Sequence, residues 1–320
     1  MKLIRGLHNL SDHHRGCAVT IGNFDGVHIG HQHLLKTVYD QAKDLSLRAC
    51  VVSFEPLPVE YFVAADKRPY RLTNCREKIV QLTSQNLDQL LLLKFNRHLA
   101  NSTADTFIKK VLIDGLNTKY LLIGDDFRFG KDRSGNFATL QQASQQFGFT
   151  LQQAKTLCHD TQACNDTQTS QRVSSTRVRD LLSDGNLGAA AELLGRDYSI
   201  EGRVEYGAQL GRTIGFPTAN IALKGHNPPL RGVYAVSVTG HGDKKLQGIA
   251  NIGVKPTVKG LRLSLEVYVL DFNSDLYRQR LRVTFLHKLR DEKKFAGLDE
   301  LKAAIATDEQ NARQWFTSKT

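Results

Sequence analysis

The chain has 320 residues, 41% of them hydrophobic, and this length exceeds what one hydrophobic core usually serves, so we expect two domains. It contains no run of 18 apolar residues and no apolar signal core near its start, which argues against a membrane-spanning or secreted protein and predicts a soluble, cytoplasmic one. The net charge of +11 suits a nucleic acid, an anionic membrane surface or a multiply charged small substrate, but the basic residues are scattered, and a solvated basic surface remains an alternative.

The residues from Ala18 to Leu35 combine a strand, a glycine-rich turn and the start of a helix. The apolar run AVTI ends at a turn that holds Asn23, Asp25, His28 and His31, and apolar residues then recur at helical spacing. Backbone N–H groups and the positive end of the helix dipole converge at such a junction. The stretch therefore predicts an anion site in a phosphate-handling enzyme.

Strand and helix patterns alternate from Ala18 to about Gly185, which is typical of a doubly wound, mostly parallel sheet in an α/β domain over residues 1–185. Ligands of such sheets gather at the carboxyl ends of the strands, where polar groups also follow here. The strand candidates are Ala18 to Ile21, Arg48 to Phe54, Leu90 to Lys94 and Tyr120 to Gly124, and the helix candidates are Gln32 to Leu45, Thr73 to Ser84 and Thr103 to Asp114.

A second helix start lies in VSSTRVRDLL, residues 173–182. Ser and Thr are natural N-caps, and Arg177 and Arg179 follow within a turn. A plain capped helix with solvated arginines would look the same, but together with the glycine turn the pattern favours a second phosphate-binding helix start. The preceding polar segment, Cys158 to Gln171, has little to bury, so we expect a mobile loop.

The alternation of strand and helix patterns stops after a short helix at Asn186 to Leu194, which ends at Gly195. Short β-branched or alternating segments separated by turns predict an antiparallel sheet or small barrel over residues 199–320, joined to the first domain by a linker at 186–198. The strand candidates are Ile200 to Tyr206, Gly232 to Thr239, Gln247 to Ile252, Leu263 to Asp271 and Leu281 to His287. The closing helix, Leu298 to Phe316, has Leu298, Leu301, Ile305, Ala312 and Trp315 as its expected buried stripe.

The five cysteines have no disulfide spacing, which fits a reducing compartment. Cys158, His159 and Cys164 do not have zinc-ligand spacing, so no metal is expected there. His28 and His31 lack a local carboxylate or thiol that would complete a metal site. Hydrogen bonding to a phosphoryl group whose charge grows in the transition state is the simpler role for this pair.

Two further patterns lie in the second domain. GRTIGFPTAN, residues 211–220, is a glycine-rich turn whose hydroxyl and amide are oxygen ligands of the type that Mg²⁺ accepts, although a β-turn with a capping Asn has the same pattern. It is not a Walker A loop, since the Gly-Lys-Ser/Thr ending is missing. Glu266 stands in an apolar strand, where an acid is either outward-facing or functional.

The motif GNFDGVHIGH, residues 22–31, resembles the HxGH signature of nucleotidyltransferases, and specifically the bacterial bifunctional riboflavin kinase and FAD synthetase family. The resemblance continues in order over nearly the whole chain. It takes in SFEPLPVEYF, RLTNCREKI, GDDFRFG, VSSTRVRDLL, GRTIGFPTANI, RGVYAV, NIGVKPTV, LEVYVLDFNSDLY and LRDEKKF.

The resemblance implies that the first domain transfers an adenylyl group from ATP to FMN by positioning and charge stabilisation rather than covalent chemistry. In this interpretation His28 and His31 are catalytic and bind the reacting phosphates, while Ser175, Thr176 and Arg179 hold the departing ones. Asn23 and Asp125 help to orient nucleotide, flavin or Mg²⁺. The full set implied for nucleotide or phosphate is Gly22, Asn23, Asp25, Gly30, Ser175, Thr176, Arg177, Arg179, Gly211 and Gly215, and that for flavin is Asp125, Phe127 and Arg290.

The resemblance also implies that the second domain is a riboflavin kinase. Thr218 and Asn220 are then the Mg²⁺-ligating side chains, and Glu266 is the general base that takes the proton from the ribityl 5′-hydroxyl as it attacks the γ-phosphorus of ATP. The implied substrates and products are riboflavin, FMN, FAD and ATP, with Mg²⁺ as cofactor. No nucleic-acid or membrane partner is expected, and self-association is left open.

The sequence departs from the family pattern at three positions. Leu57 replaces the histidine of the common FEPHP form, so the family's histidine after the second strand is missing here, and we expect looser FMN binding. Ser274 and Arg278 stand where glycine is commoner, and we expect an altered turn rather than lost catalysis.

Two other functions are compatible with part of the sequence. An adenylyltransferase for another phosphorylated substrate would use the barrel as a binding or regulatory module. A basic nucleic-acid-binding protein would use it as an oligonucleotide platform, but the sequence lacks clustered aromatics and basic stripes.

Overall fold

The computed structural model describes residues 1–64, 67–155, 157, 172–206, 215–224, 226–257 and 260–319. The chain forms two compact units: Met1–Pro69 with Cys75–Ser175, and Tyr70–Asn74 with Thr176–Thr320. The predicted domain limits at residues 185 and 199 stay a prediction. Gly211 and the predicted loop from Cys158 to Gln171, with its two cysteines and His159, lie outside the described residues.

The first unit is built on a parallel sheet with the strand order β1-β4-β3-β2-β5-β6. This confirms the predicted α/β fold class, and the four predicted strands are all present. Two strands that the sequence did not reveal, β1 and β6, form the edges. The strands are β1 (Lys2–Arg5), β2 (Cys17–Ile21), β3 (Arg48–Glu55), β4 (Gln89–Lys94), β5 (Tyr120–Ile123) and β6 (Thr150–Gln153).

Both faces of this sheet are buried, which is why its central strands are continuously apolar. In β2, Val19 and Ile21 belong to one hydrophobic cluster while Ala18 belongs to the other, as the two-residue period of a strand requires. The helices of this unit are α1 (Ile29–Asp44), α2 (Pro58–Phe62), α3 (Cys75–Thr83), α4 (Arg97–Ala100), α5 (Ala104–Phe107) and α6 (Phe137–Phe147). The single helix predicted from Thr103 to Asp114 divides, because α5 passes into a π-helix at Ile108–Ile113.

The second unit is a closed antiparallel barrel with the strand order β10-β11-β8-β7-β12-β9. This barrel confirms the predicted antiparallel sheet or small barrel. The short strand β8 is an addition that the sequence did not reveal. The strands are β7 (Ser199–Glu205), β8 (Thr218–Ile221), β9 (Gly232–Gly240), β10 (Gly242–Thr257), β11 (Gly260–Val269) and β12 (Arg280–Arg290).

Three further α-helices follow later in the chain: α7 (Ser175–Ser183), α8 (Leu187–Leu194) and α9 (Leu298–Thr317). α8 begins and ends as predicted, with the Asn186 side chain accepting the Ala189 N–H and Gly195 in the left-handed conformation. α9 packs Ala312 and Phe316 against the outer face of the barrel. The predicted stripe is wrong at Leu298, which is 54% exposed.

None of the helices that the structure describes is long and apolar enough to cross a bilayer.

Candidate functional site

The turn that follows β2 has an unusual backbone. Phe24, Gly26 and Val27 have φ values of 49°, 82° and 41°, in the left-handed region that residues other than glycine rarely adopt. The Phe24 and Val27 side chains are fully buried, so packing holds the two strained residues in place. Backbone strain of this kind persists only where the surrounding packing holds it. Here the strained turn leads directly into the start of α1.

His28 and His31 meet at that helix start as predicted. The Nδ1 atom of His28 accepts the backbone N–H of His31 at 3.2 Å, so the imidazole acts as the N-cap of α1. The two rings stack with centroids 3.6 Å apart and planes 15° apart. Because an accepting nitrogen carries no proton, neutral His28 keeps its proton on Nε2. His28 can therefore donate a hydrogen bond to an anion through Nε2.

Gly30 lies between the two histidines because there is little room for a side chain. A Cβ atom at this position would lie 3.2 Å from His28 Nδ1, 3.3 Å from His28 Cε1 and 3.7 Å from the carbonyl oxygen of Val173. The absence of that atom lets the His28 ring lie against the first turn of α1. This contact explains why a glycine stands within a helix, where it is otherwise unfavourable.

The start of α7 is tied to the same turn. The Ser175 hydroxyl donates to the carbonyl oxygen of Asp25 at 2.9 Å, and Asp25 itself is only 2% exposed. Of the predicted phosphate-binding residues on this helix, Ser175 is thus brought to the turn that carries His28. Thr176, Arg177 and Arg179 follow on α7 in the second unit, and their roles stay predictions.

Gly22 and Asn23 connect β2 to this turn. Gly22 N–H donates to the Val52 carbonyl at 3.1 Å, and the exposed Asn23 offers its carbonyl oxygen to the Ser53 hydroxyl at 3.3 Å. The turn is therefore anchored to the neighbouring strand β3 at the carboxyl edge of the sheet.

Asp125 and Phe127 follow β5, the other neighbour of β2 in the sheet. Arg172 donates to Asp125 at 3.3 Å and to the adjacent Asp126 at 2.9 Å. Phe127 stacks on Phe129 with ring centroids 5.4 Å apart. These side chains share the carboxyl edge with the histidine turn, as the alternation of strands and helices predicted.

The sequence did not predict a cluster of aromatic side chains that lies at the ends of β3 and β4. Tyr61 and Phe62 of α2 and Phe54 of β3 all contact Phe95, with ring centroids 5.7 to 5.9 Å apart. Phe62 is 67% exposed and Tyr61 is 41% exposed, so the cluster offers an aromatic surface at the ligand edge of the sheet. The signal was present in SFEPLPVEYF, whose aromatics fall on both sides of the α2 start. Leu57 is the N-cap residue of that helix and is buried, so it serves packing.

The barrel brings together predicted residues that are far apart in the chain. Glu266 of β11 pairs directly with Asn220 of β8 on one side and with Asn251 of β10 on the other. The row continues from Asn251 to Val233 and from Val233 to Arg290. Directly paired residues of antiparallel strands have Cβ atoms about 5 Å apart on the same face. Asn220, Glu266 and Arg290 therefore share one row, and Asn251 is an addition that no spacing argument found.

This row lies on the outer face of the barrel. The flanking residues Leu265 and Val267 are buried inside, whereas Glu266 is half-buried. Val233, in the same row, packs in the cluster that includes Ala312 of α9. The candidate kinase site is thus formed on the barrel wall beside the helix, and not inside the barrel.

The oxygen donors on this wall are suited to Mg²⁺. Thr218 lies two residues before Asn220 on the same face of β8, where it pairs with Tyr268. The Thr218 hydroxyl and the Asn220 amide carbonyl are hard oxygen ligands of the type that Mg²⁺ prefers beside phosphate. Among the described residues, no three His, Cys, Asp or Glu side chains gather as a metal site.

Arg290 forms a two-pronged ion pair within the second unit. Its Nε and one terminal nitrogen donate to the two carboxylate oxygens of Asp308 in α9, each at 2.8 Å. The other terminal nitrogen donates to the Asp291 carbonyl at 3.1 Å. Asp308 is 4% exposed, so this pair places an acidic residue in the buried stripe of α9 where sequence alone predicted only apolar ones. A flavin contact of Arg290 stays a prediction.

Two glycine-related predictions concern turns. Gly215 has a φ of 91°, a conformation that glycine adopts readily. Arg278 has a φ of 65°, so it takes the left-handed conformation that the family's commoner glycine would take without cost. Its N–H donates to the Val204 carbonyl at 3.0 Å, which ties the turn to the barrel wall.

Both units are similar to known protein families. A family model described as FAD synthetase matches residues 10–168, and one described as riboflavin kinase matches residues 194–316. The chain is 48% identical over 317 residues to the bifunctional riboflavin kinase/FMN adenylyltransferase of Escherichia coli (strain K12), with 99% of this chain and 98% of that protein covered. It is 45% identical over 318 residues to the protein of the same name from Haemophilus influenzae, with 99% and 100% covered. A crystal structure described as a macrolide-efflux protein from Streptococcus pneumoniae superposes with a TM-score of 0.80 at 29% identity, over 98% of this chain and 100% of that chain.

Proposed function

This chain belongs to the family of bifunctional riboflavin kinases and FMN adenylyltransferases, and on that premise we propose which of its residues carry each reaction. The enzyme phosphorylates riboflavin to FMN and adenylylates FMN to FAD with release of pyrophosphate, using ATP in both steps. The observation that carries the assignment is that the FAD synthetase match falls on the parallel-sheet unit and the riboflavin kinase match on the barrel. Adenylylation belongs to residues 1–185 and phosphorylation to residues 199–320, with 186–198 as the linker.

In the adenylyl transfer, the FMN phosphate attacks the α-phosphorus of ATP and pyrophosphate leaves. The protein's task is to position the two substrates and to stabilise the charge that spreads over the phosphoryl oxygens. His28 donates from Nε2 to one of these oxygens, because its Nδ1 is occupied as the α1 cap. His31, stacked on His28, binds the same phosphate group, and the amino terminus of α1 adds its positive dipole.

The departing pyrophosphate is held at the start of α7. Ser175 supports this role because its hydroxyl contacts the Asp25 carbonyl in the histidine turn. Thr176, Arg177 and Arg179, which follow on the helix, contribute a hydroxyl and two guanidinium groups for the phosphates. Gly22, Asn23 and Asp25 shape the turn.

The flavin ring needs an apolar, planar surface in the adenylyltransferase unit. Tyr61, Phe62 and Phe95 offer such a surface at the ligand edge of the sheet, and Phe127 offers another beside Asp125. Aromatic rings stack with centroids 4.5 to 7 Å apart, at about 0.5–1.5 kcal/mol per pair. The exposed Phe62 is the residue we expect to contact the isoalloxazine ring.

In the kinase reaction, Glu266 takes the proton from the ribityl 5′-hydroxyl while that oxygen attacks the γ-phosphorus of ATP, and the bond from this phosphorus to ADP breaks so that ADP leaves. Asn251 pairs with Glu266 across the ladder and is suited to donate its amide to the carboxylate oxygen that does not accept the proton. This hydrogen bond would fix the rotamer of the base. Arg290, in the same row, contributes positive charge toward the flavin.

Mg²⁺ would be held by Thr218 and Asn220, whose oxygens suit it. When bound, it would neutralise charge on the ATP phosphates. Action in the cytoplasm stays a prediction from the cysteine usage of the sequence, and self-association stays open.

The experiment that tests the assignment is incubation with riboflavin, ATP and Mg²⁺ followed by chromatography of the flavins. We expect FMN to appear first and FAD second. In the double variant His28→Ala, His31→Ala, FMN should accumulate while FAD formation stops. FAD formation by that variant at the parent rate would refute the assignment of the two histidines.

A further inference from the structure

Lys78 of α3 is a buried cation that the reactions described above do not use. Its side chain is 1% exposed, and the ammonium group is surrounded by oxygen atoms. Nζ donates to the Phe54 carbonyl at 2.8 Å, to the Ser53 hydroxyl at 3.3 Å and to the Asn23 carbonyl at 3.4 Å, and it lies 3.7 Å from the Glu55 carboxylate. Lysine is almost never buried to this degree unless it is paired in this way.

The oxygens that surround Lys78 belong to the ligand edge of the sheet. Ser53, Phe54 and Glu55 form the carboxyl end of β3, and Asn23 is the second residue after β2. The Asn23 carbonyl accepts both Lys78 and the Ser53 hydroxyl, so the two strand ends are joined at that atom. Asn23 also starts the strained turn in which Phe24 and Val27 have positive φ.

The contact therefore acts on the part of the backbone that presents the histidines. Four residues lie between Asn23 and His28, the N-cap of α1, and this turn is held in sparsely populated conformations. A rigid anchor at the first residue of such a turn restricts where its last residue can lie. The Lys78 ammonium group, with three N–H donors and a full charge, is a stronger anchor than a neutral side chain.

We propose that Lys78 is a positioning residue of the FMN adenylyltransferase: it fixes the Asn23 carbonyl and thereby the placement of His28 and His31 on the reacting phosphates. This inference rests on the proposed function of the two histidines. Its physical consequence is specific to the transition state, since stabilising charge there requires closer placement than binding ATP does. Loss of the anchor should lower kcat more than it raises KM for ATP.

The test compares Lys78→Met with the matched variant Lys36→Met, which removes an exposed lysine of α1 paired with Asp40. Each protein is assayed for FMN adenylylation and for riboflavin phosphorylation, and the folded fraction is measured by circular dichroism. For Lys78→Met we expect adenylylation kcat to fall at least about tenfold, KM for ATP to stay within about threefold and kinase activity to stay within about twofold. Lys36→Met should match the parent in both reactions.

A double-mutant cycle with His28→Ala separates positioning from general support of the fold. If Lys78 acts through the two histidines, Lys78→Met should lower the single-turnover rate by a smaller factor in the His28→Ala protein than in the parent. Independent, multiplicative losses would overturn the inference, as would an unchanged kcat or a loss that equals the unfolded fraction. FAD formation by His28→Ala alone at the parent rate would instead refute the proposed function.

A milder variant covers the case in which Lys78→Met does not fold. Ser53→Ala removes the hydroxyl that contacts both Lys78 and the Asn23 carbonyl. We expect a roughly threefold lower adenylylation kcat in the parent background and a smaller loss in the His28→Ala background. A kcat equal to that of the parent would overturn the inference.

Discussion

Gly30→Ala should separate catalysis from stability at the adenylylation site. The added Cβ would lie 3.2 Å from His28 Nδ1 and 3.3 Å from Cε1, closer than the ordinary contact range that begins at 3.4 Å. The obstacle is a side chain, so the ring can yield by a few tenths of an ångström. The ring stacks on His31 and caps α1, and its movement would disturb both contacts.

The two effects of this substitution have opposite signs. Alanine is favoured over glycine within a helix by about 0.5–1 kcal/mol, and Gly30 is the second residue of α1, where roughly half of that is expected. A misplacement of about 1 Å at a catalytic group costs about 100-fold in rate, so a few tenths of an ångström correspond to about three- to tenfold. The variant should therefore adenylylate FMN about three- to tenfold more slowly while unfolding at the same or a higher denaturant concentration.

The chain offers a matched control in Gly188, the second residue of α8. A Cβ there has no atom within 4 Å, so Gly188→Ala adds helix propensity without a new contact. The assay is the initial rate of FAD formation from FMN and ATP, with riboflavin phosphorylation measured on the same preparation. Gly188→Ala should leave both rates unchanged.

Two results would refute this reasoning. One is a Gly30→Ala protein that forms FAD at the parent rate, which would mean that the His28 ring tolerates the displacement. The other is an equal loss of kinase activity, which would indicate a general defect instead of a local one.

Three further predictions concern the barrel. Glu266→Gln should lower riboflavin phosphorylation by about 10² to 10⁴-fold, because a general base is lost, while FAD formation from supplied FMN stays unchanged; intact kinase activity would refute the assignment of Glu266 as the base. Asn251→Ala should lower kinase kcat about tenfold with little change in KM, and a rise in KM alone would contradict its support of the base. Burial raises the pKa of the Tyr234 hydroxyl from 10, its value in the unfolded chain, to about 12. The neutral hydroxyl therefore contributes fully to the free energy of unfolding below pH 10, and this contribution is lost as the pH rises through 12. Urea unfolding at pH 9 and pH 12 should show the parent losing up to about 2–3 kcal/mol more than Tyr234→Phe, and equal losses would contradict this.

The parallel sheet was predictable where strands are central and buried. β2, β3, β4 and β5 have continuous apolar runs because both of their faces are covered. The edge strands β1 and β6 read KLIR and TLQQ, and polar residues on an edge are what protects it from pairing with other chains. Because these residues are polar, the two edge strands lack the hydrophobic pattern from which a strand can be recognised.

The site residues that could be predicted are those that lie close together in sequence. His28, His31 and Gly30 are close in sequence, so a local motif was sufficient to group them. Lys78 was not identified, because a lysine on a short helix ordinarily faces solvent and only the tertiary structure shows its burial. Asn251 was not identified because pairing register, which sequence does not display, decides that it faces Glu266.

Arg290 shows how resemblance and geometry constrain each other. Family resemblance implies a flavin contact, whereas the structure commits three of its hydrogen bonds to Asp308 and to the Asp291 carbonyl. A guanidinium has five N–H donors, so two remain for another partner. The two-pronged pair with the buried Asp308 also fixes the plane of the guanidinium and directs those two donors. The structural contact and the implied ligand contact are therefore compatible, and α9 becomes part of what orients the row that contains Glu266.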